Sequence, residues 1–107
     1  MSFSLEDLAE IIRARRGAAA ERSYTKSLFE AGVPRIAKKF GEEAVETVIA
    51  ALGEDKAALT GEAADVLYHL LVLLEARDIE LAEVLNELQR RTSQSGLQEK
   101  AARGEPR

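Results

Sequence analysis

Residues 38–74 read KKFGEEAVETVIAALGEDKAALTGEAADVLYHLLVLL, and this stretch decides the fold. Its first half lies in a segment whose apolar side chains recur every fourth position, at Ile36, Phe40, Ala44, Val48 and Leu52. That spacing predicts a helix, with Pro34 in its first turn and Gly53 at its end. The second half predicts another helix from about Asp55 to Ala76, apolar on nearly every side after residue 63. An antiparallel hairpin of two helices is therefore expected at the centre.

Three shorter helices are predicted around this hairpin. The first covers about residues 5–16, where Leu and Ile recur at helical spacing. The second covers about residues 25–31 and is closed by Gly32. Asp78 is expected to cap the last helix, and residues 93–107 are expected to form a mobile tail. The sequence thus predicts an all-α bundle of about five helices.

Composition limits the chain to a few classes of protein. It has 107 residues, of which 46% are hydrophobic, enough for the core of one domain spanning residues 1–107. Aromatic residues are only 5%, and the predominance of Leu, Ala, Val and Ile favours helix packing. Because the chain has no Cys, disulfides and a cysteine nucleophile are excluded, and the single His also argues against a structural zinc site.

The N-terminal residues and the apolar segments indicate the cellular location and the oligomeric state of the protein. The N-terminal residues are acidic and lack the features of a signal peptide, so a cytoplasmic protein is expected. The apolar run Val66–Leu74 is interrupted by His69 and is too short to cross a bilayer, so no membrane contact is expected. One subunit cannot easily bury the fourth helix, so a homodimer with a four-helix-bundle core is predicted.

Charge is distributed unevenly along the chain. Residues 1–40 carry eight Lys/Arg and five Asp/Glu, a net charge of +3, and residues 89–107 carry five and two, again +3. Residues 41–88 carry two and twelve, a net charge of −10. So acidic a centre argues against nucleic-acid binding and fits a metal ion with a phosphorylated small molecule.

The acidic centre contains two acid-x-x-acid pairs, Glu43 with Glu46 and Glu62 with Asp65. Each pair lies on one side of its helix. If the hairpin turns near residue 54, residues whose numbers sum to about 108 face each other, and both pairs lie about 12 Å from the turn. Four carboxylates would then converge, with Glu42 at their edge.

Carboxylates gathered in this way repel each other, and a hard divalent cation compensates the repulsion most directly. The pattern therefore predicts a Mg²⁺ site formed by Glu43, Glu46, Glu62 and Asp65. The candidate catalytic residues are these four and Glu42, one carboxylate acting as general base toward water. A solvated acidic face is the alternative, and a non-catalytic helical interaction module would be the corresponding function.

Five residues are candidates for binding substrate phosphate. Lys39 lies one helical turn before Glu43 and Lys38 precedes it, and either could instead form an ordinary salt bridge. Lys26, Ser23 and Thr25 lie at a helix start, where backbone N–H groups suit anions, although helix capping alone would explain the hydroxyl groups.

With these residues in view, the chain resembles the phosphoribosyl-ATP pyrophosphohydrolase family of histidine biosynthesis, within the all-α nucleoside triphosphate pyrophosphohydrolase (MazG-like) superfamily. The superfamily motif, E-x-x-E followed by E-x-x-D, is matched by the four acids. The narrower resemblance rests on three segments, SYTKSL at residues 23–28, KKFGEE at 38–43 and ADVLYHLLVLL at 64–74.

The resemblance implies a Mg²⁺-dependent hydrolysis of phosphoribosyl-ATP to phosphoribosyl-AMP and pyrophosphate, with cleavage between the α and β phosphates. It implies a dimeric helical bundle and a separate phosphoribosyl-AMP cyclohydrolase, which the chain is too short to include. A house-cleaning hydrolase of other nucleoside triphosphates is the alternative within the same superfamily.

Overall fold

The computed structural model describes residues 2–17, 23–93 and 104, and within them the chain forms five α-helices and no strand. In order, the helices are α1 (Leu5–Gly17), α2 (Tyr24–Ala31), α3 (Val33–Leu52), α4 (Lys56–Ala76) and α5 (Leu81–Thr92). The all-α fold is confirmed. The predicted tail falls outside the described residues, apart from Ser93 and Gly104.

The hairpin of α3 and α4 is the centre of the fold, and its two helices make the most extensive contact between elements. Three residues join them, and Asp55 caps α4 by accepting hydrogen bonds from the N–H groups of Ala57 and Ala58 at 2.9 and 3.3 Å. Farther from the turn, the Thr47 hydroxyl of α3 lies 2.8 Å from the Glu43 carbonyl and 3.2 Å from the Glu62 carbonyl. This hydroxyl fixes the register of the two helices.

The core lies where α1 and α2 pack across the hairpin. Its fully buried members come from four helices and are Ile12, Leu28, Ile36, Leu71 and Val72. Leu81 of α5 packs against the edge of this cluster. Glu75 of α4 holds α1 in place, because it accepts from Arg13 Nε at 3.0 Å and its carbonyl accepts from Arg16 at 2.8 Å.

The start of α5 differs from the prediction. Asp78 was expected to be its N-cap, and this is wrong: Asp78 has a left-handed backbone conformation with φ 59°. The N–H of Ile79 reaches back to the Leu74 carbonyl at 2.9 Å, which closes the end of α4 before α5 begins. The N-cap is Glu80, which forms a capping box with Glu83. Glu80, two residues after Asp78, therefore caps α5.

The apolar stripe predicted on α3 changes from buried to exposed along the helix. Ile36 is fully buried, whereas Val48 is 59% and Leu52 84% exposed. A spacing of four residues turns about 40° beyond a full helical turn at each step, so residues 16 apart point to nearly opposite sides. The exposed end forms a new stripe of Val45, Val48, Ile49 and Leu52, here called the α3 stripe.

Helix α4 is only partly covered within one subunit. Its buried residues are His69, Leu71 and Val72, and Leu67 is 43% exposed. Among the described residues, α4 alone is long and apolar enough to cross a membrane, with 21 residues and a mean hydropathy of 1.4 over its most apolar window. That criterion uses length and composition only, and the core helix of a soluble protein meets it too.

Gly32 joins α2 to α3 in a conformation that side chains strongly disfavour, with φ 95° and ψ 168°. We predict that Gly32→Ala lowers the free energy of unfolding by about 1–3 kcal/mol. The matched control is Gly17→Ala, because Gly17 is the last residue of α1 and an added Cβ meets nothing within 4 Å. The control should change stability by less than about 1 kcal/mol. Urea unfolding tests both variants, and equal effects would contradict the prediction.

Candidate active site

The structure brings the predicted carboxylates together at the middle of the α3–α4 hairpin. Glu43, Glu62 and Asp65 each offer an oxygen, and these oxygens all lie within 4.8 Å of one another. Glu46 completes the group, because its carboxyl lies within hydrogen-bonding reach of Glu43 and Glu62. We call these four residues the acidic cluster.

Local helix geometry explains the convergence. Residues three apart lie on the same side of a helix, and the contact of Thr47 with the Glu62 carbonyl places the two pairs opposite each other. Their burial differs: Glu43 is buried with 6% of its surface exposed, Glu62 is half-buried, and Asp65 is exposed. The cluster therefore extends from the helix interface to the surface.

The acidic cluster contains an unsatisfied acceptor. Oε2 of Glu62 is buried and has no hydrogen-bond donor among the residues that the structure describes. A buried acceptor without a donor costs free energy, more so when it carries charge. A cation would satisfy this oxygen, and so would a proton on the neighbouring Glu46 carboxyl.

Protonation of the two α3 acids is unequal. Burial acts to raise the pKa of Glu43, but hydrogen bonds from Lys39 and from the Glu46 carboxyl bring that pKa below its ordinary value. The pKa of Glu46 is raised, because a proton on its carboxyl can be shared with Glu43 and Glu62, and because their negative charge disfavours its ionised form. Of the two carboxyls, that of Glu46 thus holds a proton more readily when no cation is bound.

Lys39 is the cation in contact with the acidic cluster. Its Nζ lies 3.2 Å from Oε1 of Glu43 and 4.0 Å from Oε1 of Glu42, and the hydrogen bond to Glu43 raises the pKa of Lys39. Glu42 is exposed, and its catalytic role stays a prediction. Lys38 is exposed one residue earlier on α3. Lys39 is thus the predicted lysine that lies beside the acids.

The three candidates on α2 are placed differently. Ser23 is the N-cap of α2 and accepts a hydrogen bond from the N–H of Lys26 at 3.2 Å. Thr25 is buried, and its hydroxyl is hydrogen-bonded to that of Tyr68. Lys26 is half-buried. Capping and packing therefore account for both hydroxyl groups, and their role in phosphate binding stays a prediction.

A hydrogen-bonded chain leads from the acidic cluster to α2, and the sequence analysis did not identify Tyr24 as part of it. Nδ1 of the buried His69 lies 2.7 Å from the Asp65 carbonyl oxygen, and Nε2 lies 3.0 Å from the Tyr24 hydroxyl. A carbonyl only accepts, so Nδ1 must donate; the Nε2 of a neutral ring then accepts from Tyr24. Both residues lie in segments that carried the family resemblance, which was the signal available in the sequence.

The donor set fits a hard divalent cation. Every side chain of the acidic cluster offers carboxylate oxygen, and the unsatisfied Glu62 oxygen lies within it. Mg²⁺ prefers such ligands and keeps water or phosphate oxygen in its other positions. Glu43, Glu62 and Asp65 are the residues best placed to hold it.

Comparison with known proteins covers almost the whole chain. The sequence model of the family described as phosphoribosyl-ATP pyrophosphohydrolase matches residues 5–92. A protein of Bradyrhizobium diazoefficiens named phosphoribosyl-ATP pyrophosphatase 1 is 59% identical over 96% of this chain and 97% of its own length. Proteins named phosphoribosyl-ATP pyrophosphatase from Rhizobium meliloti and Rhodobacter capsulatus are both 57% identical, over 97% and 94% of this chain and 97% and 98% of theirs.

If the acidic cluster holds Mg²⁺, the metal should stabilise the fold. A concentration 100 times the Kd would add about 2.7 kcal/mol to the free energy of unfolding and raise Tm by on the order of 10 °C. We predict this shift for the natural sequence and its loss in Glu62→Gln, whose amide is a poorer ligand. Thermal unfolding monitored by circular dichroism, with and without Mg²⁺, measures it.

Glu30→Gln is the matched control, because Glu30 is exposed on α2. It removes one negative charge outside the acidic cluster and should retain the Mg²⁺-induced shift. A shift of equal size in Glu62→Gln would show that Mg²⁺ acts elsewhere.

Proposed function

Because the chain belongs to the phosphoribosyl-ATP pyrophosphohydrolase family, we propose that its acidic cluster is the Mg²⁺-binding active site for that reaction. The protein is a hydrolase of histidine biosynthesis that converts phosphoribosyl-ATP to phosphoribosyl-AMP and pyrophosphate. The observation that carries the proposed site is the convergence of three ligand oxygens within 4.8 Å beside a buried, unsatisfied Glu62 oxygen.

The proposed roles follow from position and charge. Glu43, Glu62 and Asp65 would hold the metal, which when bound would neutralise phosphate charge and lower the pKa of a bound water molecule. Glu46 also borders the proposed metal site, and it is our candidate for the general base because it adjoins Glu43 and Glu62 and its side chain is exposed to water. Lys39 contacts the phosphate chain from beside Glu43.

These roles predict a separation of binding from catalysis. Glu46→Gln removes the proton acceptor but leaves the three proposed ligands, so we expect kcat to fall by about 100-fold or more while the Mg²⁺-induced rise in Tm persists. Glu62→Gln should lose both. The assay is release of pyrophosphate and phosphoribosyl-AMP from phosphoribosyl-ATP with Mg²⁺. Full activity in Glu46→Gln would reject it as the base.

The site of cleavage needs its own measurement. Cleavage between the α and β phosphates yields pyrophosphate, whereas loss of the terminal phosphate would yield orthophosphate. We expect pyrophosphate only. Assays of deoxynucleoside triphosphates under the same conditions test the house-cleaning alternative, and a preference for them over phosphoribosyl-ATP would contradict the assigned substrate.

We propose that the protein acts as a homodimer joined in part through the α3 stripe. Val45, Val48, Ile49 and Leu52 are spaced at i, i+3, i+4 and i+7, and each is between 59% and 84% exposed. A contiguous apolar face of this kind marks an interaction surface. It also adjoins Glu42 and Glu46, so a second copy would lie beside the active site.

The homodimer proposal is tested by Val48→Glu, which places a charge in the middle of the α3 stripe. We expect this variant to sediment as a monomer and the natural sequence as a dimer. Phe3→Glu is the control, because Phe3 is 68% exposed but precedes α1, away from the stripe in sequence. A monomeric natural sequence, measured by sedimentation velocity, would contradict the proposal.

The remaining expectations are also proposals. We place the enzyme in the cytoplasm as a single domain over residues 1–107, without contact with nucleic acid or membrane. Its acidic centre and the carboxylates on α4 support the last two statements. A separate phosphoribosyl-AMP cyclohydrolase would consume the product, and we propose that the two enzymes contact each other.

A further inference from the structure

A cleft of about 350 Å³ lies between α2 and α3, next to the acidic cluster. Leu28 and Ala31 supply apolar lining, and the Tyr24 ring contributes an aromatic side chain. Two cations, Arg35 and Lys39, also line it from α3. Apolar, aromatic and cationic groups in one cleft suit a ligand that carries both a base and a phosphate.

Tyr24 is held in place rather than left to rotate. Its hydroxyl bonds to Nε2 of His69 at 3.0 Å, and its ring stacks on that of Tyr68 with centroids 6.1 Å apart. Tyr24 is still 50% exposed. Burial raises the pKa of its hydroxyl, while the charges of Lys39 and Arg35 act in the opposite direction, which places both cations within electrostatic reach.

The two cations are not equivalent, because they stand at different distances from the acidic cluster. Lys39 reaches Glu43 directly. Arg35 lies eight residues before Glu43, two helical turns or about 12 Å along α3. Long side chains on a helix lean toward its N-terminus, which carries the guanidinium farther from the carboxylates. Arg35 is thus the distal cation of the cleft.

Phosphoribosyl-ATP bound at the acidic cluster carries two kinds of phosphate that Arg35 could contact, those of the triphosphate and that of the second ribose. The β and γ phosphates of the triphosphate are adjacent to the reacting phosphorus and fall within the reach of Lys39. Phosphoribosyl-ATP also carries a second ribose on its base, and the 5′-phosphate of that ribose lies at the far end of the molecule. The distance of about 12 Å favours this remote phosphate for Arg35.

We propose that Arg35 binds the 5′-phosphate of the substrate's second ribose and thereby selects phosphoribosyl-ATP over ATP. The inference rests on the proposed location of the active site. Planar guanidinium forms paired, charge-assisted hydrogen bonds with phosphate, so the contact rewards a substrate that has the remote phosphate and gives nothing to one that lacks it. Tyr24, fixed by His69, is a positioning residue that forms the adjoining wall.

The test compares two substrates that differ only at the remote phosphate. Phosphoribosyl-ATP and the analogue with an unphosphorylated second ribose are hydrolysed by the natural sequence, Arg35→Gln and Arg35→Lys, with Mg²⁺ present. We expect Arg35→Gln to lower kcat/KM for phosphoribosyl-ATP about 10- to 100-fold, mainly through KM, and to change kcat/KM for the analogue less than about 3-fold. Arg35→Lys should fall between the two, because it keeps charge but loses the paired geometry.

Arg77→Gln is the matched control, because Arg77 is exposed at the C-terminal end of α4. It lies 12 residues after Asp65, which is about 18 Å along the helix axis. This variant should leave kcat/KM for both substrates unchanged. Lys39→Met gives the opposite pattern to Arg35→Gln: its position beside Glu43 predicts an equal loss with both substrates.

Two results would overturn the inference. An equal loss on both substrates in Arg35→Gln would place Arg35 on the triphosphate, and no loss on either would show that it does not contact the substrate. Failure of the active site itself gives a different result. In that case Glu62→Gln and Glu46→Gln would hydrolyse phosphoribosyl-ATP as well as the natural sequence does.

Discussion

Four carboxylates repel one another at the α3–α4 interface, and the other elements of the fold are arranged around this interface. Glu43 is buried there, and a Glu62 oxygen has no donor among the described residues, so the helices approach each other against an electrostatic cost. Lys39 offsets part of that cost from one side. A bound cation would offset the remainder. The interface that weakens the metal-free fold would thereby give the proposed site its affinity for Mg²⁺.

Helix α1 and the apolar core stabilise the fold, whereas α2 and α3 form the walls of the cleft. Helix α1 is held to α4 by contacts of Arg13 and Arg16 with Glu75, and the apolar core lies beneath α1 and α2, so rigidity comes from the side away from the hairpin turn. Helix α2 is joined to α4 by the Tyr24–His69 bond and forms one wall of the cleft with α3. The cleft that we propose for substrate recognition is therefore bounded by a helix that the core and the hydrogen-bonded chain keep fixed.

Much of this arrangement could be predicted because it depends on helical periodicity. The acid-x-x-acid spacing and a turn near residue 54 were enough to bring Glu46 opposite Glu62, and the capped turn and the Thr47 contact agree with that register. Periodicity predicted burial less well along the length of α3, because each four-residue step rotates about 40° beyond a full turn. Leu52 has the same four-residue spacing as the buried Ile36, yet it is exposed. It also failed at Asp78, because the turn after α4 depends on backbone bonds that no side-chain pattern encodes.

By itself, the sequence determined the five-helix architecture, the family and the four acids, since each depends on residues close together in the chain or on a motif. Only the tertiary structure decided that Tyr24 bonds to His69, 45 residues away, and that Arg35 shares a cleft with Lys39 and the α2 ring. The physical reason is that spacing fixes which side of a helix a residue occupies. The angle and depth at which α2 packs against α3 and α4 come from the whole core, and those decide which sides meet.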